Sequence, residues 1–252
     1  MPSITIDKRF RGPPNSGNGG YVCGLIAGHI DGSAEITLRA PPPLEQRLEI
    51  VAGAGGAVEL RDGETIVATG RPMQIDVSDI PTASYFEAED AVSRTPHADS
   101  HPLPTCFVCG PGRAPGDGLR LFAGPLTARA GRNKVGVFAV PWIPDASLAG
   151  DDGRVAPEFV WAALDCPTGY AGGTARHLGL TGTEPILLGR MSARIDARPK
   201  PGDRCVVVAW PTGRAGRKIF AGGALLGKDG EVLAVAQATW LQVDQQVQRG
   251  ER

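Results

Sequence analysis

The sequence predicts an α+β protein in which one unit, an apolar helix followed by antiparallel strands, occurs twice. Two apolar segments, at 21–30 and 154–171, have the length and the boundaries of a helix. The 35 Gly and 22 Pro residues divide most of the remaining chain into short segments that are typical of strands. A predicted hairpin also recurs, because residues 61–70 (RDGETIVATG) resemble residues 228–237 (KDGEVLAVAQ). The agreement of the hairpins with the order of the helices indicates duplication of a long unit.

Composition limits the classes of function. The 252 residues suffice for one large or two ordinary domains, and a formal net charge of -1 argues against nucleic acid as a partner. The aromatic content of 6% is too low for the stacking surface that single strands require. Without a run of 18 apolar residues or a basic-then-apolar amino terminus, we expect no membrane span and no signal peptide. Five cysteines without a regular framework favour the reducing cytoplasm.

The elements of the first half follow from alternation and turn residues. Asp62-Gly63 lies between two apolar runs and is a strong hairpin signal. In order, we predict a strand at 3–10, a turn-rich loop at 12–20, the helix at 21–30, strands at 33–40 and 44–52, a hairpin of 56–61 with 64–69, and a segment at 73–77 that closes this half.

The second half repeats this plan after a polar, proline-containing stretch. We predict a first domain at 1–80, a linker at 81–105, a second domain at 106–245 and a polar tail at 246–252. The strands of the second half are predicted at 119–122, 134–140, 187–197, 203–210, 218–226 and 231–243, with the helix between the second and third of them.

The helix at 154–171 carries the most informative charge of the chain. Pro157 and Glu158 are first-turn signals, and Pro167 with Gly169 predicts its end. Asp165 lies inside its apolar part. A buried carboxylate must be paired, hydrogen-bonded or raised in pKa, since an unpaired one costs several kcal/mol. Both a functional role and a structural role near the end of the helix remain open for Asp165.

Three short motifs resemble segments of proteins with the hotdog fold. In this fold an antiparallel sheet wraps around an apolar helix. Residues 18–22 (NGGYV) resemble the helix opening in the first half of double-hotdog acyl-CoA thioesterases. Residues 163–171 (ALDCPTGYA) resemble the helix of PaaI-like thioesterases, and the resemblance implies that Asp165 is a catalytic acid/base residue. Residues 235–240 (VAQATW) resemble the last strand of thioesterase II, which implies that Gln237 helps to hold the hydrolytic water. The resemblance therefore implies a tandem hotdog with two antiparallel sheets, each wrapped around one central helix.

The two halves differ at the positions that carry chemistry. When the helix starts are aligned, Asp165 lies opposite Ala27, and when the hairpins are aligned, Gln237 lies opposite Gly70. The first helix opens with glycines whose N–H groups can hold an oxyanion, whereas the second opens with a proline, which lacks an N–H. We therefore expect one composite site that combines catalytic residues of the second half with oxyanion or substrate-binding residues of the first. These residues are Asp165 and Gln237 as the catalytic pair, and Gly19, Gly20, Asn18, Asn15 and Ser16 as donors, although the last three also fit simple turn chemistry.

A CxxC motif offers an alternative site. Cys106 and Cys109, with His97 and His101, would supply four metal ligands, but one CxxC is half a zinc site and the spacing is unlike that of a finger. We therefore expect no metal and interpret the motif as a structural turn, with metal ligation and a redox pair as alternatives.

The resulting functional hypothesis is an acyl-CoA thioesterase-like hydrolase that needs no cofactor beyond the coenzyme A of its substrate. Arg190, Arg194 and Arg198 are spaced evenly on a predicted strand and would either meet coenzyme A phosphates or form a solvated face. The alternative function is a non-catalytic protein that binds acyl chains or acyl-CoA. We expect acyl-CoA or a related thioester as the ligand, no nucleic acid and no membrane span, and double hotdogs can assemble further into a homo-oligomer.

Overall fold

Eleven strands in the described part of the chain form one continuous antiparallel sheet. The computed structural model describes residues 2–96, 100–127, 136–176, 179–248 and 250. The strands are β1 (Ser3–Thr5), β2 (Ala34–Leu38), β3 (Arg47–Ala52), β4 (Val58–Asp62), β5 (Thr65–Pro72), β6 (Gly124–Pro125), β7 (Phe138–Trp142), β8 (Ile186–Ile195), β9 (Cys205–Ala215), β10 (Lys218–Leu226) and β11 (Val232–Gln242).

Four α-helices accompany the sheet within the described residues. They are α1 (Gly19–Ala27), α2 (Tyr85–Val92), α3 (Pro157–Gly173) and α4 (Gln245–Gln248), and short 3-10 turns lie at Lys8–Phe10, Ala54–Gly56 and Ala146–Leu148. No helix in the described part of the chain is long and apolar enough to cross a membrane.

The strand order corrects the expectation of two separate sheets. The sheet runs β1-β3-β4-β5-β2-β8-β11-β10-β9-β7-β6, so the two halves join where β2 pairs with β8. This pairing extends from Ala34 opposite Ala193 to Thr37 opposite Arg190. Antiparallel pairing satisfies the backbone groups that each half would otherwise expose at an edge strand. The order of strands outward from this junction is the same in both halves, apart from the additional strand β6 at the far end.

Helices α1 and α3 pack directly against each other on one face of the sheet. A Cβ on Gly24 of α1 would lie 2.5 Å from the Cα of Glu158 on α3, so the two backbones are too close for any larger residue. The main hydrophobic core includes both helices and the residues of β8 and β11 that face them, among them Met191 and Trp240. The sheet therefore carries both central helices together on its inner face.

Helix α3 is longer than the sequence signals predict. Pro167 and Gly169 were expected to end it, yet the helix continues to Gly173. Pro167 lies inside the helix, where it removes one backbone hydrogen bond. Every residue from Phe159 to Gly173 is buried, so tertiary packing outweighs this local cost.

The segment predicted as a linker, 81–105, contains helix α2. Ser84 and Glu87 form a capping box at its start, with the Ser84 hydroxyl accepting from Glu87 N and the Glu87 carboxylate accepting from Ser84 N. The helix packs on the outer face of the sheet in a second apolar cluster with residues of β9, β10 and β11. This face of the second half is therefore covered by α2.

Two predicted strands differ from the structure. Residues 119–122 do not enter the sheet, because Leu119 N donates to Phe107 O and Leu121 N to Val108 O, which pairs this segment with the CxxC turn. The predicted strand at 134–140 is present as β7 from Phe138, and residues 134 and 135 lie outside the described residues.

Candidate active site

The amino terminus of α1 forms one wall of the candidate site. Asn18 is its N-cap, with the side-chain oxygen accepting a hydrogen bond from Tyr21 N at 2.9 Å. Asparagine is favoured here because its oxygen satisfies a backbone N–H that has no partner within the helix. The cap also orients the Asn18 amide nitrogen towards α3.

Asp165 of α3 meets this helix start. Its Oδ2 atom accepts hydrogen bonds from Gly20 N at 3.0 Å and from Asn18 Nδ2 at 2.8 Å. A Cβ on Gly20 would lie 2.4 Å from the Cβ of Asp165, so only glycine allows this approach. The structure therefore brings the carboxylate of the second half to the glycine-rich helix start of the first half.

The second carboxylate oxygen of Asp165 is unusual. The side chain is 2% exposed, and Oδ1 is the one buried side-chain polar atom of the described residues that has no hydrogen-bond partner. Burial raises the pKa of Asp165 to about 7, while the Gly20 N–H and the Asn18 amide act in the opposite direction. A carboxyl group whose pKa lies near neutrality is suited to general acid-base chemistry.

A cavity of about 500 Å³ adjoins Asp165. Its walls include Asn18 and Gly19 at the start of α1 and apolar side chains such as Leu188 and Trp240. A pocket of this size, with a few polar groups at one point of an apolar wall, is typical of a small-molecule site. An acyl chain fits this distribution of polarity.

The glycine amides divide into two roles. Gly20 N donates to Asp165 Oδ2, so in this structure its N–H is not free to act as the predicted oxyanion donor. Gly19 lines the cavity, and its N–H has no hydrogen-bond acceptor among the described residues. Gly19 is therefore the residue of the predicted glycine pair whose N–H remains without an acceptor in the described part of the chain.

Asn15 and Ser16 also line the cavity, near the same helix start. The Asn15 amide lies 3.5 Å from Gly250 O, and the Ser16 hydroxyl donates to Gly17 O at 3.4 Å. These contacts fit turn chemistry, and the position on the cavity wall fits substrate contact, so both interpretations from the sequence remain.

Gln237 does not belong to this site. It lies on β11 between Ala236 and Ala238, which both face the helices, so its side chain projects from the opposite face of the sheet. There it is exposed, and its amide lies 3.4 Å from Asp76 O. The structure therefore does not bring Gln237 together with Asp165.

The arginine row also lies away from the cavity. Arg190 donates to Thr37 Oγ1, Arg194 pairs with Asp196, and Arg198 pairs with Asp152. None of the three lines the cavity within the described residues. These contacts favour the interpretation that the three arginines lie on a solvated face over the interpretation that they bind coenzyme A phosphates.

The sequence prediction missed a cluster of three thiols beside Asp165. The Sγ atoms of Cys106, Cys109 and Cys166 all lie within 4.8 Å of one another, and all three residues are buried. Cys166 directly follows Asp165 in α3, and only the tertiary structure brings it to the CxxC turn.

His101, a ligand of the alternative metal site, does not belong to the thiol cluster. His101 Nε2 lies 3.0 Å from the Tyr170 hydroxyl, and His101 Nδ1 accepts from Leu103 N. His97 lies outside the described residues. Among the described residues, Cys166 rather than His101 therefore lies beside Cys106 and Cys109.

The fold and this geometry define the class of structure. Two helices pack on the inner face of a long antiparallel sheet, and a polar site lies where the start of α1 meets the middle of α3, an arrangement that fits the hotdog fold. No family model matches the chain, and no curated protein matches it.

Solved structures carry the same fold. The chain is similar to the tesB protein of Mycobacterium avium subspecies paratuberculosis, with 15% identity, a TM-score of 0.59, and coverage of 96% of this chain and 92% of that one. It is also similar to the acyl-CoA thioesterase II TesB2 of Mycobacterium marinum, with 11% identity, a TM-score of 0.58 and the same coverage. At this level of identity the similarity establishes the fold, and the predicted hotdog fold is confirmed.

Proposed function

We propose that this protein is an acyl-CoA thioesterase-like hydrolase with one composite site between its two halves. The observation that carries the proposal is the contact of Asp165 with the start of α1 at the wall of an apolar cavity. The fold shared with an acyl-CoA thioesterase II supports the same class of reaction.

In the proposed reaction the first half supplies hydrogen-bond donors and the second half supplies the base. The acyl chain lies along the apolar wall, and the thioester carbonyl oxygen accepts a hydrogen bond from Gly19 N–H. Asp165 removes a proton from water while the water oxygen forms a bond to the carbonyl carbon. The carbon–sulfur bond then breaks, and the thiolate of coenzyme A takes up the proton. Asn18 and Gly20 hold the Asp165 carboxylate in place throughout.

The experiment measures thiol release from a panel of acyl-CoAs of increasing chain length. Asp165→Asn keeps the size of the side chain but removes the base, so we expect kcat/KM to fall by about 10²–10⁴-fold. Gln237→Ala is the matched control, since it changes a polar side chain on the other face of the same sheet and should leave kcat/KM unchanged.

Two outcomes would contradict the proposal. Turnover that survives in Asp165→Asn would remove the carboxylate from the mechanism. Tight coenzyme A or acyl-CoA binding by the wild type, without thiol release at any chain length, would instead favour the non-catalytic binding function.

A further inference from the structure

The three thiols beside the cavity have the spacing of a metal centre. Cys106 Sγ and Cys166 Sγ are 3.8 Å apart, and all three sulfurs lie within 4.8 Å of one another. Sulfur atoms on a tetrahedral zinc ion, with Zn–S bonds of about 2.3 Å, are separated by about 3.8 Å. A disulfide requires about 2.05 Å. The five cysteines of the chain are free, so no disulfide competes for these sulfurs.

The CxxC turn is held in a fixed shape. Gly110 N donates to Cys106 O at 2.9 Å, and a Cβ on Gly110 would lie 2.5 Å from that oxygen. Phe107 N donates to Arg11 O, which ties the turn to the first half of the chain. Two cysteines from this turn and one from α3 therefore meet without any rearrangement of the backbone.

A hydrogen-bond donor from α1 lies beside the thiol cluster. The Asn18 amide nitrogen lies 3.8 Å from Cys106 Sγ and donates to Asp165 at the same time. Donors that point at sulfur suit thiolates, which are the form of cysteine that binds metal, and such outer contacts orient the ligands.

A second observation at the same place points to a cation. Asp165 Oδ1 is buried without a partner, and it belongs to the residue that precedes Cys166. An unpaired buried carboxylate oxygen is costly unless a cation or a bound water satisfies it. Cys106, Cys109, Cys166 and Asp165 all line the cavity, so a ligand from the cavity can reach the cluster.

We propose that Cys106, Cys109 and Cys166 bind one zinc ion at the wall of the cavity, next to Asp165. Thiolates select soft ions such as zinc over magnesium or calcium. Three protein ligands leave a fourth coordination position, as in catalytic rather than structural zinc sites. This inference is independent of thioester hydrolysis, because it concerns binding of the ion alone.

Metal titration of the wild type is the primary test. The full chain, without an affinity tag, is reduced, freed of metal with a chelator, and titrated with Co²⁺ and then Zn²⁺. We expect uptake of one Co²⁺ per chain with sulfur-to-cobalt charge-transfer absorption, and displacement of that ion by one equivalent of Zn²⁺. Because zinc would bind only the native state, it should also raise the midpoint of thermal unfolding.

Single alanine variants locate the ligands. Cys106→Ala, Cys109→Ala and Cys166→Ala should each weaken zinc binding by at least about tenfold. Cys205→Ala is the matched control, since Cys205 is also fully buried but lies on β9 outside the cluster. It should bind zinc with the affinity of the wild type.

The outcomes are distinct from those of the hydrolysis assay. The inference is overturned if the reduced wild type shows neither charge-transfer absorption with Co²⁺ nor a zinc-dependent shift in its unfolding midpoint. This result does not depend on whether the alanine variants fold. Equal affinity in a variant that lacks all three thiols overturns it as well. A protein that binds no zinc and still hydrolyses thioesters would refute the metal site and leave the proposed function intact.

Discussion

The two carboxylate oxygens of Asp165 differ in their hydrogen bonding. Oδ2 has two donors, Gly20 N and Asn18 Nδ2, whereas Oδ1 has none among the described residues. A buried acceptor without a partner costs about 1–3 kcal/mol. A purely structural aspartate would gain nothing from this arrangement, so the unpaired oxygen is consistent with a site that receives a substrate, a water or an ion.

Asn18 provides a prediction at the residue scale, because its two functions can be separated. Asn18→Ser retains a good N-cap for α1 but removes the amide that donates to Asp165. We expect the free energy of unfolding to change by less than about 1 kcal/mol, while kcat/KM falls by at least about tenfold. Chemical denaturation and thiol release measure the two effects.

Asn18→Ala is the companion variant, since it removes both functions. It should lower the free energy of unfolding by about 0.5–2 kcal/mol in addition to its effect on rate. Equal stability and equal rate in Asn18→Ser and the wild type would show that the amide does not support Asp165.

At the scale of the element, the contact between α1 and α3 determines whether the site exists. It depends on glycines of α1 at the positions where α3 is closest, since Cβ atoms there would meet Asp165 and Glu158 at 2.4 and 2.5 Å. Gly20 therefore contributes in two ways: its N–H donates to Asp165, and its lack of a Cβ allows α3 to approach.

Gly20→Ala tests this approach. The added methyl group would overlap Asp165 and Trp161 O, so we expect a loss of about 1–3 kcal/mol in the free energy of unfolding, together with loss of activity. Gly28→Ala is the control in the same helix. Its Cβ would find no atom closer than 3.4 Å, and the residue is helical at φ -60, so stability should be maintained or slightly increased.

Helix α2 supplies a second prediction at this scale. Ser84→Ala removes one side of the capping box and should lower the free energy of unfolding by about 0.5–2 kcal/mol. The helix lies on the outer face of the sheet, so kcat should remain that of the wild type. An unchanged stability would indicate that α2 contributes little to the fold.

At the scale of the whole molecule, the β2–β8 junction unites the two halves. The same sheet crosses the boundary between the predicted domains, and α1 packs on α3 across it. Halves that share a sheet and a core should not unfold one after the other.

We therefore expect a single cooperative transition for the metal-free chain. Calorimetry should give a calorimetric enthalpy equal to the van't Hoff enthalpy. Two resolved transitions would show that the halves are independent domains, as the division at 81–105 alone would suggest.

Short sequence patterns predicted several features of the fold and the candidate site. The hairpin at Asp62-Gly63 is confirmed by β4 and β5, and a lone charge in an apolar helix identified Asp165. Two further features were accessible but missed. The Ser84 and Glu87 spacing is a capping-box signature, and the alternation along β11 places Gln237 opposite to the alanines that face the core.

By itself the sequence predicted an α+β chain with two apolar helices and many antiparallel strands, and it singled out Asp165 as a charge inside an apolar helix, because these features depend on periodicity, turns and the cost of burying a charge. The hotdog fold and the acid/base role of Asp165 were implied by the resemblance of short motifs to hotdog thioesterases. Tertiary structure alone decided that the halves share one sheet, that Gly20 binds Asp165, and that Cys166 joins the CxxC turn. The first two contacts join residues that are more than a hundred positions apart in the sequence, and the contact of Cys166 with Cys106 spans 60 positions. Such contacts are set by helix packing and strand register, which no local pattern encodes.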